Sequence, residues 1–323
     1  MEKLLDVQNL QMHYFTSKGA VRAIDGIDLT LMAGETLGLV GESGCGKTSL
    51  GSSILRMPSP PGRYVSGKIL VEGRDIIPLS EKEVRKDIRW QKIAMVFQGA
   101  MNCLTPVYTI GKQMMETLNV HKEVPKAEAE ALIKEYLGYV GLPAEVMTRY
   151  PHELSGGMKQ RAVIATALFL RPSVVILDEP TTALDVIVQA EIINLLKKLK
   201  AQFNLSFIFI THDLALEAEV ADRICVMYAG RIVEIGPNAD IFGKQGPAHP
   251  YTQRLLAATP RLFKKVEKLQ FILGTPPDLI DPPKGCRFNP RCDRAFARCH
   301  EEVPPLEEVE PGHFAACWLN SHS

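Results

Sequence analysis

A glycine-rich run that begins at Gly41 has the residue types and the spacing that bind phosphate groups. Its glycines let backbone N–H groups turn inward around phosphate oxygens, and the helix pattern that follows adds its positive N-terminal end. Lys47 is expected to reach the β and γ phosphates of a nucleoside triphosphate, and Thr48 is expected to ligate Mg²⁺. The predicted nucleotide-binding residues of this run are Gly41, Ser43, Gly44, Cys45, Gly46, Lys47, Thr48 and Ser49.

Two adjacent carboxylates, Asp178 and Glu179, follow an apolar strand pattern at residues 174–177. Mg-dependent phosphoryl transfer needs one group that helps to hold the metal and one that orients or deprotonates water. We therefore assign Asp178 to Mg²⁺ and Glu179 to water. A bare acidic pair at a strand end is as often only a solvated surface feature, so the assignment depends on the phosphate-binding run.

Two further polar residues end apolar strand patterns. His212 follows residues 207–210 and could reach the γ-phosphate and position the attacking water. Gln98 follows Val96 and Phe97. A histidine or a glutamine at a strand end is also a common structural residue, so neither carries a functional prediction alone.

A second predicted phosphate-binding helix start lies at residues 154–160, Leu-Ser-Gly-Gly-Met-Lys-Gln. Ser155 is a good N-cap, and Gly156 and Gly157 expose backbone N–H groups to an anion. One ATP does not need two such sites in one subunit. The economical explanation is a head-to-tail dimer, in which this helix start closes on the ATP that the other subunit's phosphate loop holds.

The elements that must position these residues alternate between strands and helices, which predicts a parallel sheet. A helix pattern starts at Ser49, another follows Ser155, and an amphipathic helix is predicted at residues 125–141. The predicted domains are an ATP-binding core at residues 1–100 and 153–236, a helical insertion at residues 101–152, and an extension at residues 237–323 that carries four of the seven cysteines.

Composition argues against two kinds of partner. The chain has 323 residues, with 37 Lys plus Arg and 37 Asp plus Glu, so it lacks the net positive charge typical of nucleic-acid binding. The N-terminal residues do not have the pattern of a secretion signal, and there is no run of about 18 apolar residues. We expect no nucleic-acid partner, a location in the cytoplasm, and membrane association only through another protein.

The ordered set of motifs resembles the nucleotide-binding subunit of ATP-binding-cassette (ABC) transporters. The resemblance covers residues 4–260 and rests on the phosphate loop, Gln98, the signature at 154–160, residues 174–179, residues 183–185 and His212. It implies ATP and Mg²⁺ as ligands. It also implies an α/β fold: a P-loop ABC ATPase core with a mixed or parallel sheet, a helical signature subdomain and a small cysteine-rich C-terminal extension.

The resemblance also implies residue roles. Tyr14 would stack on the adenine, with Phe15 as its rival, since a ring over a base is favourable. Gln98 would touch Mg²⁺ and report the nucleotide state to transmembrane subunits, and residues 98–106 would lie nearest a permease. Asp185 would cross the dimer interface. The implied catalytic residues are Lys47, Gln98, Glu179 and His212, the implied Mg²⁺ ligands are Thr48, Gln98 and Asp178, and the further implied nucleotide-binding residues are Ser155, Gly156, Gly157 and Gln160.

The C-terminal motifs narrow the resemblance. Residues 249–252, 274–277 and 286–292 are similar to the tail of ATPases that serve oligopeptide, dipeptide and nickel importers. Related ATPases also serve oligosaccharides, so peptide is the first choice of solute and not the only one. The implied partners are a second ATPase subunit (a paralogue or a second copy), two transmembrane permease subunits and an external solute-binding protein, at the cytoplasmic face of the membrane.

A different class of function is a cassette ATPase that acts on nucleic acid, the ribosome or iron–sulfur assembly without transport. The neutral charge, the single cassette, the lack of a long coiled-coil insertion and the importer-type tail all argue against it.

Cys286, Cys292, Cys299 and Cys317 are separated by five, six and seventeen residues in a Pro-rich and Arg-rich tail. Disulfides are disfavoured in a reducing compartment, so metal ligation is preferred. The spacing lacks the close pairs of structural zinc sites, whereas four thiolates suit a [4Fe–4S] cluster. The resemblance implies the same cluster, since importer ATPases of this type with matching cysteines carry one. Zinc and four buried thiols remain the alternatives, and a redox or a structural role is open. The other cysteines, Cys45, Cys103 and Cys225, need no cofactor.

Overall fold

The structure of the chain is a computed structural model that describes residues 2–99, 102–244, 246–258 and 272–320. The strands are β1 Lys3–Thr16, β2 Gly19–Met32, β3 Thr36–Val40, β4 Gly62–Val71, β5 Arg74–Asp75, β6 Ile93–Val96, β7 Val174–Asp178, β8 Ser206–Ile210, β9 Arg223–Tyr228, β10 Arg231–Pro237, β11 Glu307–Glu310 and β12 His313–Ala315. The α-helices are α1 Lys47–Ile54, α2 Glu81–Glu83, α3 Ile110–His121, α4 Lys126–Tyr139, α5 Gly156–Leu168, α6 Val186–Phe203, α7 Leu214–Val220, α8 Asn238–Phe242, α9 Pro250–Ala257 and α10 Ala297–Glu301.

The chain divides into two compact units. The first contains residues 2–4, 31–35 and 71–210, and the second contains residues 5–30, 36–70 and the chain from 211 onward. The residues after Gly236 therefore belong to the same unit as the phosphate loop. The predicted hydrolytic residues are divided: Lys47, Thr48 and His212 belong to the second unit, whereas Gln98, Asp178 and Glu179 belong to the first.

In the first unit, the parallel strands β6, β7 and β8 lie side by side, and the acidic pair Asp178 and Glu179 lies at the end of β7. β6 pairs with β7, and β7 pairs with β8, with Val174 in register with both Ile93 and Ser206. All five residues of β7 are buried, which explains its unbroken apolar composition. The predicted strands at 174–177 and 207–210 are confirmed.

The helices of the first unit follow the apolar periodicity. The predicted amphipathic helix is confirmed as α4, which buries Ile133, Tyr136 and Leu137 on one face. α5 begins after Ser155, as predicted, and α6 ends at Phe203, because its C-cap Asn204 has a left-handed φ of 51°. Among the described residues, no helix combines the length and the apolar character needed to cross a membrane.

In the second unit, the phosphate loop follows β3, which pairs in parallel with β9. β9 continues antiparallel to β10, β10 to β12, and β12 to β11, so the sheet is mixed, as predicted. Glu234 of β10 lies in register with Ala315 of β12, which means that the C-terminal tail contributes strands to the sheet of the phosphate-loop unit. A second sheet places β2, β1 and β4 side by side.

One helix start differs from its prediction. The sequence pattern placed the start at Ser49, whereas α1 begins at Lys47. Gly46 is its N-cap with φ 111°, a left-handed conformation open to glycine, so the chain turns from the loop into the helix two residues earlier. Lys47 and Thr48 consequently lie in the first helical turn.

Candidate active site

The phosphate loop has backbone geometry that requires glycine. Gly41 has φ 151° and Gly46 has φ 111°. A Cβ atom at Gly41 would lie 2.2 Å from the carbonyl oxygen of Met227, and one at Gly46 would lie 2.5 Å from that of Ala23. The loop is therefore packed tightly on the strands around it, and neither position accepts a side chain without displacement.

Lys47 is held by the loop itself. Its Nζ donates hydrogen bonds to the carbonyl oxygens of Gly41, at 2.8 Å, and Glu42, at 3.1 Å. These bonds fix the ammonium group over the turn whose N–H groups precede α1. Ser43, Gly44 and Thr48 are exposed, so the open side of the loop can receive an anion at a helix N-terminus. Burial raises the pKa of the Cys45 thiol, which keeps it neutral.

The two candidate adenine platforms differ in exposure. Tyr14 is half-buried, and its hydroxyl group lies 3.0 Å from Ser49 Oγ of α1 in a hydrogen bond. Phe15 is 45% exposed, and the Arg63 guanidinium lies 5.8 Å from its ring centroid. His212 is also exposed, two residues before α7, whose N-cap is Asp213.

Glu179 occupies a strained position at the end of β7. Its φ is 49°, which is uncommon for a residue other than glycine and is characteristic of functional sites. Its carboxylate accepts hydrogen bonds from Gln98 Nε2 at 2.8 Å and from Thr182 Oγ1 at 2.9 Å. Asp178, one residue earlier, is 1% exposed. The structure thus brings Gln98 and Glu179 together as neighbours.

The signature helix α5 has the predicted N-cap: Ser155 Oγ accepts a hydrogen bond from the N–H group of Met158 at 3.3 Å. Gly157 has a packing role that the sequence did not indicate, since a Cβ there would lie 2.7 Å from Val188 Cγ1 at the start of α6. Asp185 caps α6 and is exposed, whereas Gln160 is buried within α5. Of the residues predicted to face a permease, Ala100 and Met101 lie outside the described residues.

Two tail residues that the sequence analysis did not single out, Tyr251 and Arg291, hold the phosphate loop through Glu42. The N–H group of Glu42 donates to the Tyr251 hydroxyl oxygen at 2.9 Å. The Glu42 carboxylate accepts two hydrogen bonds from Arg291, at 2.6 and 3.0 Å. Tyr251 and Arg291 belong to the tail motifs at 249–252 and 286–292, so those motifs were the available signal.

A second arginine of the same segment reaches the neighbouring turn. Arg287 donates to the carbonyl oxygen of Ala229 and to the Asp25 carboxylate. The N–H group of Gly230 in turn donates to the carbonyl oxygen of Cys45, in the phosphate loop, at 2.8 Å. The segment at 286–292 therefore supports the loop at two places.

The four tail cysteines line a single cavity, together with His249 and Phe288. Burial raises the pKa of Cys286 to about 11 and raises those of Cys292 and Cys317. Within the described ranges, histidine, cysteine, aspartate and glutamate side chains form no group of three or more that could hold a metal ion. The thiols thus converge on one cavity without closing on a single ion.

The fold and the site define an ABC-type ATPase subunit. A family model described as "ABC transporter" matches residues 24–182, and one described as "Oligopeptide/dipeptide transporter, C-terminal region" matches residues 233–299. The chain belongs to the family of ABC transporter ATP-binding subunits of the oligopeptide/dipeptide importer type.

Relatives match over nearly the whole chain. The oligopeptide transport ATP-binding protein OppD of Bacillus subtilis is 46% identical over 321 residues, covering 98% of this chain and 89% of the relative. The dipeptide transport ATP-binding protein DppD of the same organism is 45% identical, covering 99% and 95%. A probable peptide ABC transporter ATP-binding protein of Sinorhizobium fredii is 44% identical, covering 98% and 95%.

Solved cassette structures are similar in fold. The dimeric MJ0796 cassette in a post-hydrolysis state, bound to ADP and Pi, has a TM-score of 0.64 and 25% identity, covering 72% of this chain and 98% of that one. CbiO1 of Clostridium perfringens has a TM-score of 0.65 and 27% identity, covering 76% and 92%.

Proposed function

We propose that this subunit hydrolyses ATP to drive the uptake of oligopeptides or dipeptides through two partner permease subunits. The observation that carries the hydrolytic part is the position of Glu179, strained at the end of β7 and held by Gln98 and Thr182. The peptide solute is supported by the match of residues 233–299 to the oligopeptide/dipeptide transporter C-terminal family and by the similarity to OppD and DppD. Oligosaccharides and nickel are the alternative solutes.

In the proposed mechanism, the N–H groups at the start of α1 and Lys47 bind the phosphates. Thr48 and Asp178 would hold Mg²⁺, with Gln98 as a further ligand, and the metal would neutralise charge that develops on the phosphates. Glu179 orients the attacking water and takes its proton, and His212 steadies the γ-phosphate. Tyr14 is the proposed adenine platform, and Phe15 is its more exposed competitor.

The proposed assembly contains a second ATPase subunit, either a paralogue or a second copy. The first turn of α5, with Ser155, Gly156 and Gly157, would close on the partner's ATP, and Asp185 would cross the interface. An external solute-binding protein would deliver the solute. Partnership with permeases would place the subunit peripherally at the cytoplasmic face of the membrane.

We further propose that Cys286, Cys292, Cys299 and Cys317 ligate a [4Fe–4S] cluster, with zinc as the alternative. The shared cavity supports ligation by all four. A single zinc, with Zn–S bonds of about 2.3 Å, would need the four sulfurs within about 4 Å of one another. A [4Fe–4S] cluster binds each thiolate to a different iron and accepts a wider spacing between the four sulfurs.

The deciding experiment for transport is the ATPase rate of the complex copurified from membranes, with its binding protein and a panel of peptides, oligosaccharides and nickel. Stimulation by peptides alone is the expected result. Stimulation by oligosaccharides or by nickel would identify that class, and not peptides, as the transported solute. If no permease copurifies and no solute changes the ATPase rate, the proposed transport function is wrong. The chain is then a cassette ATPase without a role in transport.

A further inference from the structure

Glu42 lies inside the phosphate-binding loop although its carboxylate carries the same sign of charge as the phosphate groups. Its backbone N–H group is directed to Tyr251 and not to the open side of the loop. Its carboxylate is engaged by both terminal nitrogens of Arg291. The tail residues Tyr251 and Arg291 therefore both hold the phosphate loop through Glu42.

The anchoring pair is well protected from solvent. The Arg291 side chain is 4% exposed and the Glu42 side chain 23%. Arg291 is itself fixed, since its Nε donates to the carbonyl oxygen of Leu273 at 2.9 Å and its Nη1 to the Tyr228 hydroxyl at 3.2 Å. A two-point arginine–carboxylate contact of this kind sets direction as well as distance.

The same arginine adjoins the cysteine cavity. Arg291 immediately precedes Cys292, and Arg287, which supports the Ala229 turn, immediately follows Cys286. Whatever holds these two cysteines in place also limits the movement of the two arginines. The contacts form one continuous path from the cavity to the phosphate loop.

We propose that Arg291 positions the phosphate loop through the Glu42 carboxylate, so that MgATP affinity depends on the cysteine tail. The inference rests on the proposed binding of nucleotide by this loop. Arg291 is a positioning residue and touches no reacting atom. Coupling between two such sites changes affinity by about 5- to 150-fold in other proteins.

The test uses the full-length chain and measures the Kd of a fluorescent MgATP analogue, together with KM, kcat and the thermal midpoint. Arg291→Gln and Glu42→Gln are each expected to weaken binding about tenfold, with a smaller change in kcat. The double variant should be no weaker than Arg291→Gln, and Arg291→Lys should recover part of the affinity. Unchanged affinity in both single variants overturns the proposal.

A matched control separates this contact from general loss of the tail. Arg254 pairs with Asp293, next to Cys292, at 2.7 Å, and that pair does not reach the loop. Arg254→Gln should bind MgATP as the wild type does. If it weakens binding as much as Arg291→Gln, the effect is a general one and the positioning role is overturned. Should Arg291→Gln not fold, Glu42→Gln, which keeps the arginine, supplies the comparison.

Charge compensation is the rival explanation, and the double variant distinguishes it. If Arg291 only neutralises Glu42, the double variant regains wild-type affinity and Glu42→Gln alone binds at least as tightly as the wild type, which overturns positioning.

Cys292→Ser should weaken binding in the wild-type background but not in Arg291→Gln. Wild-type affinity in Cys292→Ser overturns the dependence on the cysteines. A wild-type chain that binds no MgATP would instead contradict the proposed function.

Discussion

The side-chain amide of Gln98 donates a hydrogen bond to the Glu179 carboxylate, with Nε2 and Oε2 2.8 Å apart. An amide has a donor end and an acceptor end, so Gln98 can hold Glu179 through Nε2 and still offer its Oε1 to a metal ion. The role of Gln98 as an Mg²⁺ ligand stays a prediction. The contact adds a second role, because it fixes the direction of the carboxylate proposed to act on water.

Glu179→Gln should bind MgATP yet lose about 10²–10⁴ in turnover, because an amide cannot take a proton from water. Steady-state ATPase rates and nucleotide binding should be measured on the same preparation. Glu191→Gln is the control, since Glu191 is an exposed residue of α6 that pairs with Arg161. Near-normal turnover of Glu179→Gln would show that another group activates the water.

Gly157→Ala should destabilise the first unit by about 1–3 kcal/mol, the usual cost of overpacking. The added methyl group would lie 2.7 Å from Val188 Cγ1, so the start of α5 must move away from α6. Thermal unfolding should show the loss, and the double variant with Val188→Ala should recover most of it. If Val188→Ala gives no recovery, the close helix contact is not the reason for glycine here.

Glu217→Gln should make the chain more stable than the wild type, by an amount that grows as pH rises. Glu217 is fully buried in α7, and burial holds the pKa of its carboxyl well above the usual value. The unfolded chain ionises this carboxyl above about pH 4.3, whereas the folded chain keeps its proton to higher pH. The wild-type free energy of unfolding therefore falls through that interval, by up to about 1.4 kcal/mol per pH unit.

Thermal midpoints of wild type and Glu217→Gln across pH should diverge upward from the unfolded-chain pKa. Glu219→Gln, on the exposed side of the same helix, should show no such divergence. Parallel curves for wild type and Glu217→Gln would mean that the buried carboxyl does not retain its proton.

Anaerobically purified protein should contain about four irons and four acid-labile sulfides per chain if the tail cysteines hold the proposed cluster. Cys286→Ser should lose both and lower the thermal midpoint, because the cavity then lacks one of its ligands. Cys103→Ser, which changes an exposed cysteine outside the tail, should keep the full content. Zinc without sulfide would establish the zinc alternative. If neither iron nor zinc is found, the four cysteines are unligated thiols.

Local patterns were sufficient for the parts of the site that depend on neighbours in sequence. The phosphate loop, the acidic end of β7 and the Ser155 N-cap are set by glycine conformations, strand ends and capping over a few residues, so their sequence could be interpreted directly. The start of α1 was two residues off because only the φ of Gly46 decides where the turn becomes helix. Helix α4 followed from apolar periodicity, whereas the alternation of strands and helices predicted a parallel sheet and the antiparallel strands β10 to β12 were implied only by the family resemblance.

The contacts between distant residues were decided by the tertiary structure. Arg291 and Glu42 are 249 positions apart, and no local pattern indicates that a tail arginine reaches the phosphate loop. The burial of Glu217 was equally invisible, because its charge predicts a solvated position unless packing against β3 is known. Residue types and local spacing thus indicated the phosphate loop and the acidic pair. The distant side chains that hold the loop were decided by packing, since long-range partners are selected by the shape of the folded chain.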